Sequence, residues 1–416
     1  MNEGATILTR PDQTRPDQTR PDQTTCVQNS RRKVLLVTLY GSFDRGDNNY
    51  GNTFQHCALT KILEDLGFEV DHLCYFNDIS TRAQAKMLAK DFVKKILASL
   101  GCRRYNTISF LTRERKCPEW LNRFANFADK YIGRKIILTS YKDVWEGGKT
   151  RWEDYDFAVV GSDQVWHIWS HDQSTAEYYY LAFMPREKRV AYAPSFGFSE
   201  FSEIDREFHK TGLQGFDRLS SREQEGCRLI KELTGADAEL VADPTLLLNA
   251  DMWRAYAQKP SAEIPERYVL CYFLGRISPE YASVIRSIAG GLPVVNLYNI
   301  QTSLDFPPYF MAAPEEFLYL VDHADFVCTD SFHGTAFSVN FGKNFLTFPR
   351  FRPNGISAGM FGRIDSILSV TGLMNHAYTA GTNKRPEEIN YDDVYARLAE
   401  LRKSSMNYLK NCLHVN

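Results

Sequence analysis

Val34-Leu35-Leu36-Val37-Thr38-Leu39 is an almost unbroken apolar run, interrupted by a single hydroxyl. Alternating residues would mark a strand with one wet face. An unbroken run marks a strand covered on both faces, which is the signature of a parallel sheet. A Gly/Asp/Asn-rich loop follows, then a predicted helix over about Thr53–Leu66 stopped at Gly67, then a strand over Phe68–Leu73. Strand, loop, helix and strand in this order open a right-handed βαβ sheet. The pattern continues with strands at Tyr155–Gly161, Arg189–Ala193, Phe216–Ser221 and Glu239–Ala242, and a helix over Gln224–Leu233. It then restarts: strand Tyr268–Leu274, helix Pro279–Ala289, strand Pro293–Tyr298, an amphipathic helix from Pro314, strand Asp325–Thr329 and helix Gly334–Phe341. An α/β chain that starts twice predicts two Rossmann-like domains facing one another across a cleft.

The boundaries follow from the breaks in that pattern. Residues 1–32 read as a disordered tail, because Thr-Arg-Pro-Asp-Gln recurs in tandem from Thr9, Thr14 and Thr19 and offers nothing apolar to bury. The repeats carry no motif with a mechanism and read as a duplication without function. The N-terminal domain spans 33–257, with a Lys-, Arg- and Phe-rich helical insertion at 80–130. Gln258–Arg267, with two prolines and no periodicity, is the linker. The second domain spans 258–385, and 386–416 is a C-terminal helix placed to pack back on the first domain.

Composition removes several function classes. A net charge of -2 argues against a dedicated nucleic-acid binder, which needs a basic excess. No apolar run approaches the ~18 residues needed to span a bilayer, and the N-terminus lacks the features of a secretory signal. Nine cysteines without a Cys-x-x-Cys pair argue against a disulfide framework or zinc site and favour the cytoplasm. No metal is expected, and turnover should survive a chelator.

Ligands of open α/β sheets bind where strands end and loops turn into helices, and four such turns carry polar residues. The strongest is Thr329-Asp330-Ser331-Phe332-His333-Gly334. A helix start there presents free N–H groups suited to phosphate or carboxylate, Gly334 leaves room for close approach, and His333 can move a proton. The plainer alternative, in which Asp330 and Ser331 cap a helix and His333 fills space, fits the spacing equally well. Gly46-Asp-Asn-Asn-Tyr-Gly51-Asn52-Thr53 comes close to a P-loop, but Asn52 replaces the lysine that holds the β/γ-phosphates, which argues against an ATPase. Asp44, Asn49, Asn52 and Gln55 in or after this loop could bind sugar hydroxyls, or serve as turn formers and caps. In Gly161-Ser162-Asp163-Gln164-Val165-Trp166, Asp163 could act as base, Ser162 and Gln164 could bind an acceptor and Trp166 could stack on a sugar; capping and core packing are the alternatives. Arg222, in Ser220-Ser221-Arg222-Glu223, could grip an anion or form a surface ion pair.

In this order the turns resemble the polysaccharide pyruvyl transferase family, through NNYGNTFQHCAL, YDFAVVGSDQVW, SSREQEG, VADPTLLL and ADFVCTDSFHGTAFS, over about Lys33 to Leu373. The resemblance implies a fold like the two-Rossmann-domain GT-B glycosyltransferases. It also implies transfer of pyruvate from phosphoenolpyruvate onto two hydroxyls of one sugar of a surface-polysaccharide precursor, as a cyclic ketal, with release of phosphate. No further cofactor is implied. The family's phosphoenolpyruvate-associated histidine and arginine fall on His333 and Arg222, with Ser331 and Gly334 beside them. The expected catalytic set is therefore His333, Arg222 and Asp163. His167 stands where the family usually has Asn, and the Gly46-Asp47 loop is longer than in many members. Both changes bear on the acceptor.

Further features concern that acceptor. Arg350, Arg352 and Arg363 follow the His333 helix and could meet the diphosphate of a lipid-linked oligosaccharide. In the insertion, Leu88, Phe92, Ile96 and Leu100 share a helical face beside Lys86, Lys90, Lys94 and Lys95. That face could rest on the inner surface of an anionic membrane, although a helix packed on the protein with a solvated basic face is the stronger reading. Two other functions fit the same fold: a nucleotide-sugar glycosyltransferase, and a non-catalytic scaffold of a polysaccharide-assembly complex.

Overall fold

The computed structural model describes residues 6–8, 31–39, 49–75, 118–138, 144, 152–167, 173–298, 309–352, 355–356 and 361–415. Its first sheet takes strands β1 (Thr6–Leu8), β2 (Lys33–Val37), β3 (Glu69–Tyr75), β4 (Arg134–Leu138), β5 (Phe157–Val160) and β6 (Arg189–Ala191). The spatial order is β1-β4-β3-β2-β5-β6, parallel throughout except for β1, which runs antiparallel to β4. Strands β7 (Ser220–Ser221) and β8 (Glu239–Leu240) form a small parallel pair. The second sheet takes β9 (Val269–Tyr272), β10 (Val294–Leu297), β11 (Tyr309–Phe310), β12 (Phe326–Thr329) and β13 (Phe345–Thr347), in the order β11-β10-β9-β12-β13 and all parallel. Each five-strand parallel set puts its first strand in the middle and reverses direction beside it, the doubly wound Rossmann order.

The helices are α1 (Tyr50–Asp65), α2 (Pro118–Tyr131), α3 (Gln173–Tyr179), α4 (Glu203–Leu213), α5 (Gln224–Thr234), α6 (Pro244–Leu247), α7 (Ala250–Arg254), α8 (Pro279–Ala289), α9 (Pro314–Asp322), α10 (Phe332–Asn340), α11 (Phe361–Thr371) and α12 (Tyr391–Cys412). Two expectations are corrected. Thr6–Leu8, expected within a disordered tail, adds an edge strand; the repeats that follow lie outside the described residues. Phe216–Ser221 and Glu239–Ala242 do not extend the main sheet as full strands. The Ser220 hydroxyl instead spans the junction, donating to the Ala191 carbonyl at 2.8 Å and accepting from Ala193 N–H at 3.1 Å. Of the predicted insertion, 118–131 is helix α2, and the amphipathic 88–100 segment lies outside the described residues.

Period-two burial explains why the strands are apolar throughout. Val34 and Leu36 face one core and Leu35 and Val37 another, while Leu270 and Val269 divide the same way in the second sheet. Val34, Leu36, Leu270, Tyr272 and Val327 belong to one continuous cluster that joins the two sheets. Helix α1 is the middle of it. Phe54 is fully buried with Phe127, Trp253, Phe317 and Phe337 around it at ring-centre distances of 5.0–5.8 Å. Tyr50 stacks on Phe317 at 4.5 Å and donates its hydroxyl to the Ala312 carbonyl of the second sheet's side at 2.7 Å. Helix α12 crosses back as well: Tyr408 donates to the Ala191 carbonyl at 2.9 Å, and the Ser405 hydroxyl accepts from Ala242 N–H at 2.7 Å.

Phe54→Ala should therefore cost about 3–5 kcal/mol, because the cavity is ringed by aromatic groups from both halves and cannot collapse; urea unfolding measures it.

Candidate active site

The switch points of the two sheets are built alike. Between β2 and β5, Thr38 donates its hydroxyl to the Ser162 carbonyl at 3.2 Å. Between β9 and β12, Asp330 accepts from the N–H groups of Leu274 and Gly275 at 2.6 and 2.7 Å. Each crevice is thus tied across by the first polar residues beyond the strands.

Gly161 must be glycine: its φ is +115°, and a Cβ would collide with the Tyr192 carbonyl. Asp163 follows in the left-handed region at φ +67°, a conformation Asp tolerates and that loops hold only when surrounded by contacts. Its carbonyl accepts from Val165 and Ser195 N–H at 2.8 Å each. This turn aims the Asp163 carboxylate at Arg222, whose Nη2 donates to Oδ1 at 2.7 Å. Arg222 Nη1 donates to Asp243 Oδ2, also at 2.7 Å. The Arg222 side chain has no exposed surface and lies 4.8 Å above the Phe332 ring.

Asp243 links the rest. It caps α6 by accepting from Thr245 N–H at 3.0 Å, takes the Thr245 hydroxyl at 2.7 Å, and accepts the Ser162 hydroxyl at 2.8 Å. His333 Nε2 lies 3.8 Å from its Oδ1, outside hydrogen-bond reach, and has no hydrogen-bond partner. The imidazole rests on α1: a Cβ at Gly51 would come within 2.0 Å of its Nδ1. His333 on α10 is thereby positioned by a helix of the other sheet.

Burial dominates the electrostatics. It pushes His333 down to about 4, with Asp243 opposing and Arg222 assisting, so the imidazole is neutral at pH 7. Burial pushes Asp243 and Asp163 up, but Arg222 and His333 outweigh it, holding Asp243 at about 2 and Asp163 below the usual carboxylate range. Asp330 is raised by burial, against the pull of Arg350 and the backbone N–H groups.

The model of the family described as polysaccharide pyruvyl transferase matches residues 49–350, which contain every group named above except Thr38. The chain belongs to the polysaccharide pyruvyl transferase family. No protein of curated function matches it by sequence. Among solved structures it is similar to UDP-GlcNAc 2-epimerase from Neisseria meningitidis bound to UDP-GlcNAc, at 10% identity and TM-score 0.43 over 92% of this chain and 94% of that one. The UDP-GlcNAc 2-epimerase of Methanocaldococcus jannaschii gives 8% and 0.44 over 88% and 92%. Anabaena HepE in complex with UDP and glucose gives 10% and 0.43 over 91% and 95%.

Within this family member the sequence-predicted residues divide. Asp163, Arg222, Ser162 and His333 come together. Arg222 is neither a surface ion pair nor an open anion grip, because two carboxylates hold its terminal nitrogens. Ser331 caps α10, accepting from Gly334 N–H at 3.3 Å. Gly334 does not open the backbone to a ligand; it lets α10 pack on Thr329, whose side chain a Cβ would strike. Trp166 is no sugar wall: it is buried between Tyr180 and Phe196. Gln55 is turned inward, donating to Thr38 Oγ1 and the Asn52 carbonyl at 2.9 and 3.1 Å. Asn49 caps α1 through Gly51 N–H, Asn52 is half-buried, and Gln164 packs against Gly197. Asp44 lies outside the described residues. Asp243 and Glu223 were missed, although each stands in a motif the sequence displays; a buried Asp-Pro at a strand end was the available signal for Asp243.

Removing the guanidinium strands two buried carboxylates, so Arg222→Met should lose about 3–5 kcal/mol in urea unfolding. Acid sensitivity should show two phases. Asp243, held at about 2 against an ordinary 3.8, stabilises the fold above 3.8 and loses that contribution as pH falls toward 2. His333, held at about 4 against 6.5, stays neutral in the fold while the unfolded chain takes up a proton, so its contribution is complete above 6.5 and gone by 4. The stability advantage of wild type over His333→Gln should shrink as pH falls through that second window; a constant difference would contradict it.

Proposed function

We propose that the protein transfers pyruvate from phosphoenolpyruvate onto two hydroxyls of one sugar in a surface-polysaccharide precursor, forming a cyclic ketal and releasing phosphate. What carries this reading is the meeting of His333, beyond the second sheet, with Asp163, beyond the first, and Arg222 and Asp243, beyond the β7–β8 pair, in a chain of the pyruvyl transferase family. Ketal formation needs a donor group and an acceptor group to face each other, and a site built from two halves supplies that.

The reaction adds a proton to the enol CH₂ to give a methyl group and joins both sugar oxygens to the central carbon. The bond from that carbon to the phosphate oxygen breaks. Of the two hydroxyl protons, one balances the methyl and the other leaves with phosphate. His333 is the proton donor in this scheme, or the hydrogen-bond donor to the phosphate. As the acid, it must gain its proton with the anionic donor, since burial keeps it neutral in the free protein. Arg222 holds Asp163 through Oδ1, which makes Asp163 a weak base; it orients a hydroxyl more than it strips one. The acceptor is a sugar on a lipid-linked diphosphate in this reading, met in the cytoplasm at the inner face of the membrane. Among the described residues no helix is long and apolar enough to cross a membrane.

Incubation with phosphoenolpyruvate and a panel of nitrophenyl or lipid-linked sugars should give a product heavier by one pyruvate ketal, with stoichiometric phosphate. His333→Ala should lower turnover by ~10²-fold or more. Protection and turnover with a sugar nucleotide instead would replace this reading with glycosyl transfer.

A further inference from the structure

Two buried arginines of this site are compensated very differently. Arg222 has Asp163 and Asp243 at 2.7 Å each on its two terminal nitrogens, with its Nε unmatched. Arg363, in the first turn of α11, has Glu223, with Nε and Oε2 4.0 Å apart, beyond hydrogen-bond distance. Neither of these two atoms has a hydrogen-bond partner, although Arg363 is only 9% exposed and Glu223 3%. Native interiors rarely leave such groups unmatched, because an unmet buried charge forfeits its hydration. The first turn of a helix is also a poor place for a cation, since the helix dipole is positive there.

The pair is fixed in place by contacts that belong to neither charge. Ser366, one turn further along α11, accepts the Gln224 N–H at 3.0 Å and locks α11 to the start of α5. Glu223 stands at the N-cap of α5 but does not cap it; its Oε1 accepts the Ser195 hydroxyl at 2.8 Å. Burial, Arg222 and Arg350 all press on Arg363 and hold its guanidinium down at about 10, with Glu223 and Asp163 pulling the other way. His333 feels the same field, from Arg222 and Arg363 together.

We infer that Arg363 holds the anionic donor through its phosphate or carboxylate oxygens, while Arg222 is a positioning residue that fixes the two carboxylate loops. Naming the donor rests on the pyruvyl transfer reading; the anion site itself does not. Arg363 lies beyond residues 49–350, so the family match does not assign it. A ligand arginine and a structural arginine make opposite demands on stability. The first is a liability in the free protein and a gain in the complex; the second is needed in both.

Thermal unfolding of wild type, Arg363→Met, Arg363→Lys and Arg222→Met, each with and without phosphoenolpyruvate or inorganic phosphate, separates these roles. Without ligand, Arg363→Met should unfold at or above the wild-type temperature and Arg222→Met below it. Phosphoenolpyruvate should raise the wild-type midpoint, and Arg363→Met should need about 10-fold more ligand, or more, for the same rise, the loss of one charge-assisted hydrogen bond. Arg363→Lys, which keeps the charge and loses the planar fork, should fall between and serves if Arg363→Met does not fold. Wild-type protection of Arg363→Met, or an unliganded midpoint for Arg363→Met below that of wild type, would overturn the assignment. Protection of wild type by phosphate but not phosphoenolpyruvate, lost in Arg363→Met, would uphold the anion site and sink the donor reading. Protection by neither would overturn both.

Discussion

A guanidinium with no exposed surface persists only where carboxylates replace the water it has lost, and around Arg222 two do so from different loops. Asp163 arrives from the turn after β5 and Asp243 from the turn before α6, so one side chain fixes the relative position of both. Each acidic residue is then anchored a second time: the Asp243 carboxylate caps α6 and takes the Ser162 hydroxyl, while the Asp163 backbone carbonyl takes two backbone N–H groups. A buried ion pair of this kind rarely stabilises a fold more than apolar residues of the same volume would. Its value here is geometric. It sets the ends of the first sheet rigidly opposite α10.

The second condition is that the halves stay in register, and α1 supplies it. Polar residues such as Gln55, His56 and Thr60 are buried in it along with its aromatic ones, because it is enclosed by both sheets. The Phe54 cluster and the Tyr50 hydroxyl bind it to the second sheet, and Gly51 provides the surface on which His333 lies. A displaced α1 would move the imidazole relative to Asp243.

Much of this was legible in the chain. Apolar runs at 34–39, 157–160 and 268–274 are what strands buried on both faces require, and the restart after Gln258–Arg267 marked the second sheet. The four turns were legible as places where polar groups meet helix starts. What each residue does there was not, since capping, packing and ligand contact draw on the same residue types. Trp166 next to a polar turn reads as a sugar platform until Tyr180 and Phe196 are seen to enclose it. Gly334 reads as an opening until Thr329 is seen beneath it. Arg222 as an ion pair was foreseeable; that its partners are Asp163 and Asp243, 59 and 21 residues away, depends on tertiary structure. Thr6–Leu8 was unreadable for the opposite reason, a three-residue strand too short to show a period.

The charges that remain explain how such a site can be both stable and receptive. Asp163 and Asp243 are committed to Arg222, and what pull they keep on Arg363 and His333 does not offset burial. Burial keeps His333 neutral at neutral pH, while Arg363, lowered to about 10, stays charged there without a close counterion. An anion bound near both would oppose both shifts, because one negative charge favours the guanidinium and the imidazolium together. If the proposed pyruvyl transfer holds, binding of a multiply charged donor would draw a proton onto His333, and the acid would exist mainly when there is something to protonate. Exchanging either carboxylate for a neutral group would leave Arg222 to repel that proton, so the ion pair that orders the loops also decides when the imidazole can be charged.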